Sequence, residues 1–74
     1  MTKEEFLDNI NNLVDECPRI WRRGLSVFNV VEALYGKIAK EVQLIDKVDC
    51  FYEDGNIDEF LDCVWKRLKN QDNT

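Results

Sequence analysis

The sequence predicts an all-α fold, a compact bundle of three long helices and one short helix. Two segments near the ends of the chain repeat apolar residues at spacings of three and four, the pattern of one face of an α-helix. Each segment begins with a Thr or Asn that has a Glu three residues after it. This spacing is a capping pattern that starts helices. A content of 45% apolar and 34% charged residues in 74 positions is typical of one soluble globular domain.

The first helix begins at the capping box formed by Thr2 and Glu5. Its apolar residues lie on a single stripe with the period of an α-helix. Pro18 disfavours helical geometry at the residue before it, so the helix is predicted to end there. The residues of the stripe are Phe6, Leu7, Ile10, Leu13, Val14 and Cys17.

The second helix is predicted over residues 20–35. Its apolar residues form two neighbouring stripes, so we expect it to be the most buried helix. Because valine favours extended structure, a strand over residues 26–31 is the alternative. The length of the segment and the run Glu32-Ala33-Leu34 favour the helix, and Gly36 is predicted to end it.

The short helix is predicted over residues 38–45, with Ile38, Val42 and Ile45 facing inward. The last helix is predicted to begin at Asn56, an N-cap residue with Glu59 three positions later. Four aromatic residues are expected to anchor the core, namely Phe6, Phe28, Phe60 and Trp65.

The chain is expected to form a single helical domain over residues 1–70, followed by a frayed polar tail over residues 71–74. No apolar run approaches the roughly 20 residues that span a bilayer, and the first residues lack the apolar segment of a signal peptide. We therefore expect a cytoplasmic protein with no membrane partner.

The three cysteines, Cys17, Cys50 and Cys63, are far apart and form no CxxC pair. In a reducing cytoplasm we expect them to be small buried apolar residues. A functional thiol is the alternative.

The composition also restricts the chemistry. The chain contains no histidine, which removes the commonest general base and the commonest transition-metal ligand. An EF-hand loop with Gly55 at its sixth position would place Cys50 and Leu61 at ligand positions, so calcium binding is not expected. No Gly-rich phosphate loop is present, and Ser26 has no histidine to activate it. We expect a protein that is not an enzyme and has no metal or cofactor.

The acid-rich stretch VDCFYEDGNIDEF, residues 48–60, is interpreted as a bend that joins two helices. Asp49 can accept hydrogen bonds from a tight turn, and Phe51 or Tyr52 can fold back onto the core. Asp54-Gly55 is a typical turn pair. The acids of the bend are therefore expected to serve as caps and solvated groups.

A basic middle segment, residues 19–48 with a net charge of +3, lies between two acidic ends of −4 each. It begins with the run RIWRR, whose three guanidinium groups and indole ring favour binding to phosphates or to an acidic protein surface. The alternative is that the arginines pair with acids of the same chain while the tryptophan packs on the helices. The residues expected to bind a partner are Arg19, Trp21, Arg22 and Arg23.

Two blocks, RRGLSVFNVVEALYGKIAKEVQ and DKVDCFYEDGNIDEFL, resemble a group of short uncharacterised bacterial and phage-encoded proteins. The shared pattern is an arginine and a glycine before a Phe-Asn pair, then D-[CP]-F-Y-x-D before the final helix. The resemblance covers about residues 18–65, and Leu25 stands where the group often has glutamine. The matching positions are Arg22 or Arg23, Gly24, Phe28, Asn29, Tyr35, Asp49, Phe51, Tyr52, Asp54, Ile57 and Phe60.

The resemblance implies a small accessory protein of phages, prophages or their hosts. Such a protein binds a host or phage protein, in some cases to inhibit a host defence system. A small helical nucleic-acid-binding regulator is the alternative, although a pI of about 4.6 opposes an interface dominated by phosphate contacts. Homodimerisation is a third option, because a short chain gains stability from self-association.

Asn29 lies next to Phe28 in an apolar helix, so its amide must find hydrogen-bond partners. We expect it to bond the backbone of the turn over residues 49–54 and to join the two blocks as a structural latch. The predicted latch consists of Asn29, Asp49, Phe51, Tyr52 and Asp54.

Overall fold

The structure, a computed structural model, describes residues 1–72 and contains three α-helices and no β-strand in that range. A π-helical turn extends the second helix, and a 3-10 turn leads into the third. The all-α prediction is therefore confirmed for the described residues. In chain order the elements are α1 (Lys3–Asp15), α2 (Arg23–Glu41), the π-helical turn (Val42–Asp46), the 3-10 turn (Asp54–Asn56) and α3 (Ile57–Asp72).

The capping box predicted at the start of α1 is confirmed. The Thr2 hydroxyl accepts from the Glu5 backbone N–H at 3.1 Å, and the Thr2 backbone N–H donates to Glu5 Oε1 at 2.9 Å. These bonds to Thr2 lower the pKa of the Glu5 carboxyl, because they stabilise its charged form. Three residues of the predicted stripe, Phe6, Ile10 and Val14, are buried along one face. Leu7 and Cys17 are half-buried, and Leu13 is exposed.

The prediction of four helices is wrong, because the predicted short helix is the continuation of α2. Gly36 does not take a positive φ, so it does not form the left-handed cap that ends a helix. The irregularity is confined to Tyr35, whose φ of −139° and ψ of 57° kink the helix. Beyond the kink α2 resumes and reaches Glu41.

The π-helical turn that extends α2 ends at Lys47, which takes the left-handed conformation and donates its N–H to the Val42 carbonyl. A π-helical turn holds more residues than an α-helical turn, so it rotates Ile45 away from the face of Ile38. Ile38 and Val42 are buried as predicted. The inward orientation predicted for Ile45 is wrong, since 64% of its surface is exposed.

The core lies between the three helices and contains three of the four predicted aromatic anchors as buried residues, Phe6, Phe28 and Phe60. The Phe28 and Phe60 ring centroids are 5.6 Å apart. Trp65 is half-buried at the edge of the core, with its ring centroid 5.5 Å from that of Phe6. Aromatic contacts of this kind tie all three helices together.

Ion pairs hold α3 to the rest of the chain. Lys3 Nζ lies 2.9 Å from Asp62 Oδ1 and joins the start of α1 to α3. The Arg67 guanidinium lies 2.8 Å from Asp46 and 3.3 Å from Glu41, and so joins α3 to the end of α2. The bidentate bond to Arg67 lowers the pKa of the Asp46 carboxyl.

No helix within residues 1–72 is long and apolar enough to cross a membrane. Helix α3 continues to Asp72, so the first two positions of the predicted tail belong to it. The remaining positions of that tail, 73 and 74, lie outside the described residues.

Candidate interaction site at the turn between α1 and α2

The two blocks of the sequence pattern meet at the first turn of α2. The Arg22 guanidinium donates to Asp54 Oδ1 at 3.0 Å and also to the Phe51 carbonyl. The Gly24 backbone N–H donates to the same Asp54 oxygen, again at 3.0 Å. The carboxylate thus satisfies a backbone N–H that the helix itself leaves unpaired, and its charge lies at the positive end of the helix dipole. We call Arg22, Gly24, Phe51 and Asp54 the clamp.

Position 24 requires glycine. A Cβ there would overlap the Cys50 carbonyl oxygen and lie 2.6 Å from Asp54 Oδ1. The Cys50 thiol in turn donates to the Gly24 carbonyl at 3.3 Å. The two backbone segments are therefore in direct contact, with no side chain between them.

Cys50 is fully buried, and this burial, assisted by the negative charge of Asp49, raises the pKa of its thiol to about 12. The thiol therefore stays protonated at neutral pH and remains able to donate to Gly24. A thiol with so little thiolate is a poor nucleophile. Cys50 acts as a small buried residue, as expected, whereas Cys17 and Cys63 are only half-buried.

The bend between the π-helical turn and α3 hydrogen-bonds to itself. Asp49 accepts from the Phe51 backbone N–H at 2.7 Å and from the Gln43 side-chain amide at 3.1 Å. The Asn56 side-chain amide donates to the Asp49 carbonyl at 3.1 Å. Within the described residues, no group of three acidic or cysteine side chains is placed to hold a metal ion. The carboxylates of Asp49 and Asp54 thus accept hydrogen bonds from the bend, from the π-helical turn and from α2.

The residues of the predicted latch take different positions. Phe51 packs edge-on against Phe28 with ring centroids 5.5 Å apart, while Tyr52 is 79% exposed. Asn29 is half-buried, and its side chain forms no hydrogen bond within the described residues. The hydrogen bonds that join the start of α2 to the bend run through the clamp and the Cys50 thiol.

A tight turn over residues 18–21 joins α1 to α2. The Trp21 backbone N–H donates to the Pro18 carbonyl at 3.1 Å and closes the turn. Ile20 is 92% exposed and Trp21 is 36% exposed. We call Arg19, Ile20 and Trp21 the tip. An aliphatic side chain as exposed as Ile20 adds nothing to the core.

The arginines expected to bind a partner divide into two groups. Arg22 belongs to the clamp, and the Arg23 guanidinium donates to Asn11 of α1 at 2.9 Å. These two arginines therefore bond within the chain, which was the alternative interpretation, although Arg23 bonds an amide and not an acid. Arg19 is exposed and makes no hydrogen bond or ion pair within the described residues. The tip thus has one guanidinium group, that of Arg19, that can donate hydrogen bonds to a partner.

A groove of about 230 Å³ opens beside the tip, between the end of α1 and the start of α2. Its buried lining residues are Val14 and Ser26, and exposed Arg19 and Trp21 contribute to its rim. The remaining lining residues are Asp15, Cys17, Pro18 and Arg23.

Ser26 is the only polar residue among the described ones that is buried, with 3% of its surface exposed. Its hydroxyl forms no hydrogen bond within the described residues, although buried hydroxyl groups usually do. No unpaired polar atom is sealed off in the described core, so the hydroxyl opens towards the groove that Ser26 lines. Sequence reasoning considered Ser26 only as a nucleophile. The burial of Ser26 could have been predicted from its position four residues before Val30, because residues at this spacing share one face of a helix.

The chain matches no protein-family model, no curated protein and no solved structure. Its function is therefore inferred from its own geometry. Two features carry that inference, the exposed tip and the groove beside it.

Proposed function

We propose that the protein is a non-enzymatic interaction protein that binds another protein through the tip and the adjoining groove. The observation that carries this proposal is the exposure of Ile20 and Trp21 beside the available guanidinium of Arg19. A chain of this size has few apolar side chains to spare from its core. Trp and Arg are also the residue types that dominate binding energy at protein interfaces.

The clamp supports this function by holding the tip in place. Arg22 directly follows the tip, and its bonds to Asp54 and Phe51 fasten that end of the turn to the bend. At the other end, Pro18 restricts the backbone and accepts the hydrogen bond that closes the turn. A loop held in this way loses less conformational entropy on binding, so more of its contact energy contributes to affinity.

The resemblance of residues 18–65 to phage-encoded accessory proteins suggests the kind of partner. We propose a host or phage protein whose surface is occupied by the tip, as an inhibitor of a host defence system would do. The charge of Arg19 favours a partner with an acidic surface at the contact.

Affinity capture from a bacterial lysate tests the proposal. The wild-type chain is compared with Ile20→Ser and with the control Ile45→Ser, which changes another exposed isoleucine, in the π-helical turn. We expect the wild type and the Ile45→Ser variant to retain the same partner, and Ile20→Ser to lose it. A partner that Ile20→Ser retains, or a wild-type chain that captures nothing specific, would contradict the proposal.

A further inference from the structure

Building on the proposed function, we infer that the groove is a subsite for a carboxylate side chain of the partner. The apolar stem of that side chain would lie along Trp21. Its carboxylate would accept a hydrogen bond from the Ser26 hydroxyl and pair with Arg19. The partner is therefore an acidic peptide segment, with an apolar neighbour of its carboxylate residue packing on Ile20.

The Ser26 hydroxyl is the first argument. The Ser26 hydroxyl has no partner within the described residues and opens towards the groove, so a ligand seated there can take the hydrogen bond that water otherwise makes. Ser26 can donate or accept, but the guanidinium groups of Arg19 and Arg23, which line the same groove, can only donate. A ligand group that accepts several hydrogen bonds satisfies all three, and a carboxylate does this best.

Charge is the second argument. The groove is lined by two guanidinium groups and one carboxylate, that of Asp15, so its lining carries a net positive charge. Asp15 and the negative end of α1 oppose an anion at one side of the groove. Ser26 lies in the first turns of α2, whose first turn contains no acidic residue. The positive end of that helix already binds the Asp54 carboxylate, so the attraction for an anion in the groove comes from Arg19 and Arg23.

Size is the third argument. At about 30 Å³ for one water molecule, a volume of about 230 Å³ holds one side chain. It is smaller than the roughly 300–1,000 Å³ of pockets that bind drug-sized ligands. The groove therefore fits a single residue of a partner better than a cofactor.

The test uses two blocked tripeptides, acetyl-Phe-Glu-Phe-amide and its glutamine counterpart acetyl-Phe-Gln-Phe-amide. Each is titrated into the full chain labelled with ¹⁵N, and the Trp21 indole N–H and the Ser26 backbone N–H are followed by NMR. We expect saturable shifts of both signals with the glutamate peptide, and binding about fivefold weaker with the glutamine peptide. No saturable shift at millimolar peptide, or equal binding of the two peptides, would overturn the inference.

Variants then locate the carboxylate. Ser26→Ala and Arg19→Ala should each weaken binding of the glutamate peptide about fivefold, the effect of one lost hydrogen bond or ion pair. Lys37→Ala, which removes an exposed positive charge elsewhere, should change it less than about twofold. Since Arg19 is exposed and makes no hydrogen bond or ion pair within the described residues, Arg19→Ala remains decisive even if Ser26→Ala perturbs folding. Unchanged binding by Arg19→Ala would overturn the inference.

The same variants separate this inference from the proposed function. If a partner in the lysate is lost with Ile20→Ser but retained by Ser26→Ala and Arg19→Ala, the carboxylate subsite is wrong and the interaction surface stands. If Ile20→Ser also retains the partner, the proposed function itself is wrong.

Discussion

The α-carbon of Gly24 lies so close to the carbonyl oxygen of Cys50 that no side chain fits between them. This contact joins the first turn of α2 to the bend before α3, and the hydrogen bonds of the clamp surround it. It makes the glycine at position 24 and the aspartate at position 54 depend on each other in this chain.

Gly24→Ala is expected to lower the free energy of unfolding by about 3 kcal/mol, the upper range for overpacking a tight site. The added methyl group would overlap the Cys50 carbonyl and displace Asp54 from the Gly24 N–H. Urea denaturation followed by circular dichroism measures the change. A loss below about 0.5 kcal/mol would show that the two segments separate without cost.

Gly36→Ala is the matched control and should have the opposite effect. The φ of Gly36 is not positive, and a Cβ there would meet nothing within 4 Å. Alanine would therefore fit the existing backbone and restrict the unfolded chain, which raises the free energy of unfolding by about 0.4–1 kcal/mol. A clear destabilisation in the same denaturation experiment would mean that the kink at Tyr35 needs the freedom of glycine beside it.

Asp54→Ala is expected to cost more than Arg22→Ala. The ion pair itself is weak, because its side chains are 48% and 49% exposed, and pairs of this exposure contribute less than about 1 kcal/mol. Removal of Asp54 also leaves the part-buried Gly24 N–H without its acceptor, which adds about 1–2 kcal/mol. Thermal and urea unfolding of both variants and the double variant measure the difference. Arg22→Ala also removes the bond to the Phe51 carbonyl, but that bond is exposed and water can replace it. Equal costs would show that the Gly24 N–H does not need Asp54 as its acceptor.

Stability is expected to fall between about pH 9 and pH 12, partly through Cys50. Its pKa is about 12 in the folded chain and about 9 when exposed, so the unfolded chain loses this proton first. The contribution is fully present below pH 9 and is lost as pH rises through the folded pKa. Wild type should therefore lose stability more steeply with pH than Cys50→Ala. Parallel pH profiles for the two chains would contradict the burial of this thiol.

The sequence predicts those parts of the fold that depend on neighbouring residues. The start of α1 follows from Thr2 and Glu5, whose side chains reach each other within one helical turn. The end of the second helix was misplaced because glycine permits a left-handed cap but does not impose one. At Gly36 the surrounding structure keeps the chain helical and places the irregularity at Tyr35.

The candidate site was only partly predictable, because its contacts join residues that are far apart in the sequence. The sequence indicated the arginine-rich run, but it gave no means to decide which guanidinium groups bond internally. Arg22 and Asp54 are 32 positions apart, and only the packed helices bring them together. The groove likewise depends on the angle at which the turn after Pro18 joins two helices, which no local pattern determines.

The bond from Gly24 to Asp54 has a consequence for the internal motion of the chain. Amide hydrogens in the first turn of a helix usually exchange rapidly with solvent, because helix ends open without unfolding the rest. The Gly24 amide is part-buried and donates to a carboxylate 30 positions away. It should therefore be released only when α2 and the bend come apart together, which makes the start of α2 one of the slowest-exchanging parts of the molecule.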